Sequence, residues 1–516
     1  MSDIARPIQE TSFGKLPDEL ILLVFENVAG RDEARVLYES APRGLVTVSR
    51  HHAPAMQDIR HLILVCKYLC PIAEAFLYRA PLLFDPDDIS GRDASCDNSS
   101  FVKFIRTLIL NCRMRGHVKR LFLAFPSQNF LKPKALGARR AQRALKEYLD
   151  GADLPDGLRM ALRAGAPITN RWVASGIVMT LTPNLQHLHI LPTERGETGP
   201  RGAIPYDGDM FQAIFPGCFS SDSSPVHIRS LPGLVKLKSF AFTLENIWRL
   251  RNLHFLSHVT TLDITPIDND FFNEQRLEYY YEQQALPGQE RTNLDHVSHL
   301  RWDCRSNADG EYTGREAPLL MTLRLFKRVR VLDMYGDSPY KEDKPYSKTG
   351  VFRLLVPTFR HLDDTLEVLR LPSAHFEKPL ETSNTFADLR PFLKLQKLIV
   401  PQTFLVEEVH PQNDVGLAPL HLLPPALKSL TILDADQLVF QWVNTVLLNE
   451  RLSELGRSGL ATITILFAPA PRYSDQDFKD LQKRAIRKSF WRDVAKSSIQ
   501  WLVGRDDQVP AHDVLE

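Results

Sequence analysis

The chain has 516 residues, 44% of them hydrophobic and 24% charged, which is apolar material for one large domain or two to three ordinary ones and too much for a disordered chain. Its 63 Lys and Arg against 62 Asp and Glu leave a net charge of +1, so overall charge gives no reason to expect a nucleic acid or a membrane surface as partner. The longest apolar runs, such as 20–25 and 62–66, hold five or six residues, far short of the roughly 20 that cross a bilayer, and the opening MSDIARPIQE lacks the apolar stretch of a secretory signal, so the expected location is the cytoplasm, the nucleus or both.

Residues 1–14 read as a flexible tail. The first predicted element covers 16–28 (LPDELILLVFENV), with Pro17 suited to a helix first turn and Asp18 and Glu19 at the positive end of its dipole. Leu20, Ile21, Val24, Phe25 and Val28 form a broad apolar stripe along it. Residues 30–58 are polar, punctuated by Pro42, Gly44 and Pro54, and read as an insertion. A second helical pattern covers 59–70 (IRHLILVCKYLC) and, after Pro71, a third covers 72–78, so that 15–84 form a small three-helix bundle. Cys66 and Cys70 lie four apart with His51, His52 and His61 upstream, a spacing that admits zinc. Both sit in an apolar helical pattern, where small buried thiols are ordinary core residues, and the scatter of the six cysteines points to reduced thiols. No metal or cofactor is expected.

Residues 101–146 hold 12 Lys and Arg, including Lys103, Arg106, Arg113, Arg115, Lys119 and Arg120, and no Asp or Glu. Such a stretch can capture phosphate or carboxylate, or it can be a solvated helix face whose arginine stems cover apolar surface.

Across 100–470 one short pattern recurs: apolar-x-x-apolar-x-apolar. It stands at Val118/Leu121/Leu123, Leu185/Leu188/Ile190, Leu237/Phe240/Phe242, Val259/Leu262/Ile264, Val297/Leu300/Trp302, Val329/Leu332/Met334, Leu366/Leu369/Leu371, Leu395/Leu398/Val400, Leu427/Leu430/Ile432 and Leu460/Ile463/Ile465. From Leu188 onward the middle residues are spaced by 52, 22, 38, 32, 37, 29, 32 and 33. The last two apolar positions alternate with a polar one, as in a short strand buried on one face. Helix-like or proline-marked approaches precede many of them: 171–181, 319–328, 351–361 and 423–425. Stacked units of one strand and one helix form a curved solenoid with a parallel sheet on its concave face. Residues 192–230 and 303–318, rich in Gly, Pro, Ser, Asp and Glu, read as insertions at repeat edges. Residues 471–516 read as a capping helix and tail, with Phe478, Leu481, Phe490, Trp491 and Trp501 as its apolar positions.

The segment 16–84 resembles an F-box: Leu16-Pro17, Leu20-Ile21, Val24-Phe25, Leu64-Val65-Cys66-Lys67, Ala73 and Leu77-Tyr78-Arg79 follow that family's pattern, with a longer polar middle than is usual. The fold class expected is α/β, an N-terminal three-helix F-box followed by an irregular leucine-rich-repeat solenoid, an arrangement similar to F-box proteins of filamentous fungi. The resemblance implies a substrate receptor of a Skp/cullin/F-box ubiquitin ligase. The partners expected from it are a Skp-type adaptor, a cullin through that adaptor, and an unknown protein target. Leu16, Pro17, Leu20, Ile21, Val24, Leu64, Val65 and Leu69 are the candidates for the adaptor contact, or else the bundle's own core. The polar positions flanking the strand leucines would face the target: Arg301, Asp303, Asp333, Tyr335, Arg370 and Lys397, in a row that also holds His187, His189, Asp263 and His299. They can be a groove for a polar peptide or a solvated surface.

The chain contains no GxxxxGK[ST], GxSxG, HExxH, GxGxxG or CxxC. A non-catalytic receptor is therefore expected, and a repeat scaffold acting independently of cullin is the alternative.

Overall fold

The computed structural model describes residues 18–28, 39–40, 46–47, 59, 61, 69–81, 100–123, 139–154, 156–164, 171–190, 231–244, 256–266, 294–303, 323–335, 356–371, 386–409, 414–436, 438–443, 445, 459–467 and 499–505. The chain divides into two compact units, residues 1–243 with 255–259 and residues 244–254 with 260–516.

In the first unit, α1 (Asp18–Val28) turns Ile21 and Phe25, one helical turn apart, into the interior. Phe25 stacks on Phe76 of α2 (Cys70–Arg79) with ring centres 5.6 Å apart. Pro71 lies in the first turn of α2, where its missing N–H costs nothing, so this helix starts two residues before its apolar pattern does. Most of the helix expected over 59–70 lies outside the described residues. Within the polar insertion, β1 (Glu39–Ser40) and β2 (Val46–Thr47) pair antiparallel.

Next come α3 (Ser100–Leu110), α4 (Cys112–Arg115), β3 (Arg120–Leu123), α5 (Arg139–Gly151), α6 (Asp156–Ala164), α7 (Arg171–Leu181), β4 (His187–Ile190), α8 (Pro232–Val235) and β5 (Ser239–Leu244). β3, β4 and β5 run parallel, with Leu121, Leu188 and Phe240 in register and buried. The pairing is continued outside the strands. The Lys119 carbonyl accepts the N–H groups of Gln186 and His187 at 2.7 and 3.0 Å, and the Gln186 carbonyl accepts those of Lys238 and Ser239 at 2.8 and 3.0 Å. The Lys119 N–H in turn donates to the Arg79 carbonyl at 3.0 Å, so the strand series begins against the end of α2. Helix α7 is buried from Ile177 to Leu181, and its Thr180 hydroxyl donates to the Gly176 carbonyl at 2.7 Å. A Cβ on Gly233 would run into the Met179 carbonyl, so α8 approaches α7 at a distance that only glycine permits.

In the second unit, parallel strands follow in the order β6 (Thr261–Pro266), β7 (His299–Asp303), β8 (Val331–Tyr335), β9 (Val368–Arg370), β10 (Lys397–Pro401), β13 (Ser429–Ala435), β14 (Thr462–Phe467) and β15 (Gln500–Arg505). An antiparallel hairpin of β11 (Val406–Val409) and β12 (Asp414–Leu417) intervenes, and a short helix α9 (Val439–Trp442) follows β13. One column in register, Leu262, Leu300, Leu332, Leu369, Leu398, Leu430 and Ile463, is buried throughout. Each of these side chains contributes about 1.5–3 kcal/mol by leaving water. Phe359 and Phe392, ring centres 5.7 Å apart, belong to the same interior.

The middle residue of each of the ten apolar triplets lies in a strand. Three expectations change. Residues 500–505 are an eleventh parallel strand on β14, not part of a capping helix: Trp501 opposes Ile463 and Val503 opposes Ile465, an alternation of period two. The rest of the expected capping helix lies outside the described residues, as do 192–230. In the second unit Leu323, ahead of β8, is helical, but two other described approaches are not α-helical. Val356–Leu362 and Leu420–Leu422 are 3-10 turns, the latter ending ahead of Pro424 and Pro425, which cannot donate to a continuing helix. Finally, in several units the residue three before the triplet is part of the repeat. The N–H groups of Leu237, Val259, Val297, Leu395 and Leu427 donate to the carbonyls of Leu234, Leu256, Leu294, Phe392 and Pro424 at 2.8–3.3 Å, a tight turn that delivers the chain into the strand.

Candidate functional site

Between the buried columns of the second unit runs a column on the other strand face, and it is charged. Asp263, Arg301, Asp333 and Arg370 are mutual register neighbours on β6, β7, β8 and β9. Signs alternate along it, as cross-strand neighbours about 5 Å apart require. Arg301 donates from Nη1 to Asp263 Oδ2 at 3.1 Å and from Nε to Asp333 Oδ2 at 3.0 Å, bridging both carboxylates. Asp333 is fully buried, with its other oxygen 3.8 Å from Arg370 Nε. The Arg370 side chain is 17% exposed, and neither its Nε nor Asp333 Oδ1 has a hydrogen-bond partner.

Further along, the same face changes character. The column continues as Ile399 and Thr431 on β10 and β13, both buried, and Leu433 and Leu466 join Ile399 in an apolar cluster. The polar positions named from the sequence end at Lys397, and neither Ile399 nor Thr431 is among them. Three successive apolar residues at 398–400, and again at 465–467, are the signal for strands covered on both sides.

Of the residues expected to meet a target, Arg301, Asp333 and Arg370 are brought together. Asp303 and Tyr335 are opposed in register between β7 and β8, and Lys397 on β10 is opposed to Val368 of β9, the strand that carries Arg370. A second ion pair, missed in the sequence, lies at the edge of the face. Arg330 donates to both oxygens of Glu367 at 2.8 and 2.7 Å, and this bond holds the Glu367 carboxyl below its usual range. His299 is held below its ordinary value of 6.5, by burial first and then by Arg330.

The second feature is α1. Leu20, Leu22, Leu23 and Val24 are 38–46% exposed while Ile21 and Phe25 are fully buried. Four large apolar side chains on one short helix thus form a surface strip of the kind that marks interaction sites. Of the residues expected at an adaptor contact, Leu20 and Val24 are exposed. Ile21 and Leu69 are buried, Ile21 on the Phe25 side of the helix, which is the core alternative for these two. Leu16, Pro17, Leu64 and Val65 lie outside the described residues. Leu22 and Leu23, absent from the expected set, complete the strip.

In the basic stretch, Arg115 is structural. Its Nε and Nη2 donate to the Leu108 and Ile109 carbonyls at 2.7 and 2.8 Å, capping α3, and its guanidinium stacks 4.1 Å over the Tyr148 ring. Arg113 pairs with Glu74 of α2. Lys103, Arg106, Arg143 and Lys146 are exposed. On β4, burial, then Arg120 and Lys238, push His187 down from 6.5 to about 4. Cys70 donates to Glu74 at 3.5 Å, and among the described residues no group of three or more His, Cys, Asp or Glu could hold a metal ion. Among the described residues, no helix is long and apolar enough to cross a membrane.

No protein-family model matches the chain, and no curated protein matches it.

Proposed function

We propose that the chain is the substrate-recognition subunit of a Skp/cullin/F-box ubiquitin ligase, binding the adaptor through α1 and a protein target through the strand ladder of its repeats. The observation that carries this reading is the two-sidedness of α1: Ile21 and Phe25 are buried, Phe25 against Phe76, and Leu20, Leu22, Leu23 and Val24 are exposed. A 69-residue segment with an LP-type start and a Leu77-Tyr78-Arg79 motif near its end, followed by parallel L-x-x-L-x-L strands, fits an F-box joined to irregular leucine-rich repeats. On this reading the chain performs no chemistry. It raises the effective concentration of target lysines near a charged ubiquitin carrier.

The test is co-purification of the full chain with a Skp-type adaptor. Leu20→Asp combined with Val24→Asp places two charges in the contact while leaving Ile21 and Phe25 in place, and should weaken adaptor binding about 100-fold or more. Wild-type protein that captures no adaptor would refute the proposal. Adaptor capture without cullin, with no target turnover, would favour the scaffold reading.

A further inference from the structure

The charged column of β6–β9 is asymmetric in a way that specifies a ligand. Arg301 spends its donors on two carboxylates at 3.0 and 3.1 Å. Arg370, at the other end, is more deeply covered yet makes no hydrogen bond through Nε, and its contact with Asp333 is a loose 3.8 Å. A guanidinium carries five donors in a fixed fork, and desolvating it without acceptors is unfavourable. A half-satisfied network of this kind gains from a further acceptor. On its far side Arg370 is opposed by Ile399, which offers none. Nε itself is covered, so an acceptor from outside the ladder meets the two terminal nitrogens, which have no partner among the described residues.

We infer that Arg370 is the specificity-determining residue of the target site, and that it takes the carboxylate of an Asp or Glu side chain in an extended target segment. The inference rests on the receptor reading above and adds the chemistry of what is received. The charge count selects a carboxylate over a phosphate. Asp263, Asp333, Arg301 and Arg370 sum to zero, so a monoanion leaves one negative charge on a partly desolvated face and a phosphate dianion would leave two, within a few ångströms of buried Asp333. Planar carboxylate also matches the guanidinium fork in two parallel bonds, which a lysine could not make.

The test uses the full chain and a positional-scanning library of nine-residue peptides, one position fixed as Glu, Gln, phosphoserine or Lys and the others randomised. Wild-type protein should retain Glu-fixed peptides about tenfold more than Gln-fixed ones at one position. Arg370→Gln should abolish that preference, and Arg370→Lys should keep part of it. Equal retention of Glu and Gln by the wild type, a Glu preference unchanged in Arg370→Gln, or stronger retention of phosphoserine than of Glu would each overturn the assignment. A melting temperature of Arg370→Gln close to wild type shows that the loss is not unfolding. Adaptor co-purification is measured on the same preparations. A wild type that keeps the adaptor but shows no acid selection overturns this inference alone, and a wild type without adaptor overturns the receptor reading whatever the peptides do.

Discussion

The two halves of the second unit's strand ladder share one backing column and differ in the column that faces the other way. Behind them, Leu262 through Leu430 to Ile463 form a single buried row. In front, β6–β9 carry Asp263, Arg301, Asp333 and Arg370, whereas β10 and β13 carry Ile399 and Thr431. The backing row sets the fold, and a repeat tolerates little variation there. The front row is not held to one residue type by that core, and the charged half of it is the half to which the proposed function assigns recognition.

The sharpest way to break this contrast is at its most buried charge. Asp333→Ala leaves Arg301 and Arg370 facing each other across a covered gap, and should cost about 3–5 kcal/mol of unfolding free energy by urea titration. A loss below about 1 kcal/mol would mean that water compensates the two cations. The closure of the apolar half is tested next. Leu398→Ala, behind β10, and Ile399→Ala, in front of it, should each cost about 2–5 kcal/mol, because both side chains are fully buried. A negligible loss for Ile399→Ala would make that half as open as the charged one.

How far these features could be read from sequence follows from periodicity. The ten strands announce themselves because Leu at the last two triplet positions alternates with polar residues in the manner of one-sided burial. β15 did not, because Gln500 to Arg505 lacks the leucine at the start of the triplet and Trp501 fits a helical stripe equally well. The ion-pair column was legible as alternating polar positions, but its register was not: only strand pairing puts Arg301 between Asp263 and Asp333, 38 and 32 residues away. In α1 the run LILLVF is apolar all round, so nothing in it distinguishes Ile21, packed inward, from Leu22 and Leu23, which face out.

A smaller effect is expected from pH in the first unit. His187 titrates at about 4 when folded against 6.5 unfolded, because burial and then Arg120 and Lys238 disfavour its cation. Its neutral form is therefore stabilising above pH 6.5, and that stability is lost as pH falls from 6.5 toward 4. The urea midpoint of His187→Gln should fall less than that of wild type over this interval, and parallel curves would contradict the assignment. The smallest effect is expected at the exposed edge. Glu367→Ala removes a bidentate but exposed pair with Arg330, should cost about 1 kcal/mol or less, and should matter less still at high salt.

The most direct measurement is the affinity of the purified full chain for a Skp-type adaptor, compared between wild type and the Leu20→Asp, Val24→Asp double variant with melting temperatures recorded alongside. The expected outcome is tight binding by wild type and a loss of about 100-fold or more in a variant that melts normally, since both side chains lie on the exposed side of α1. Equal affinities in two folded proteins, or no binding by either, would contradict the assignment of this helix as the docking face.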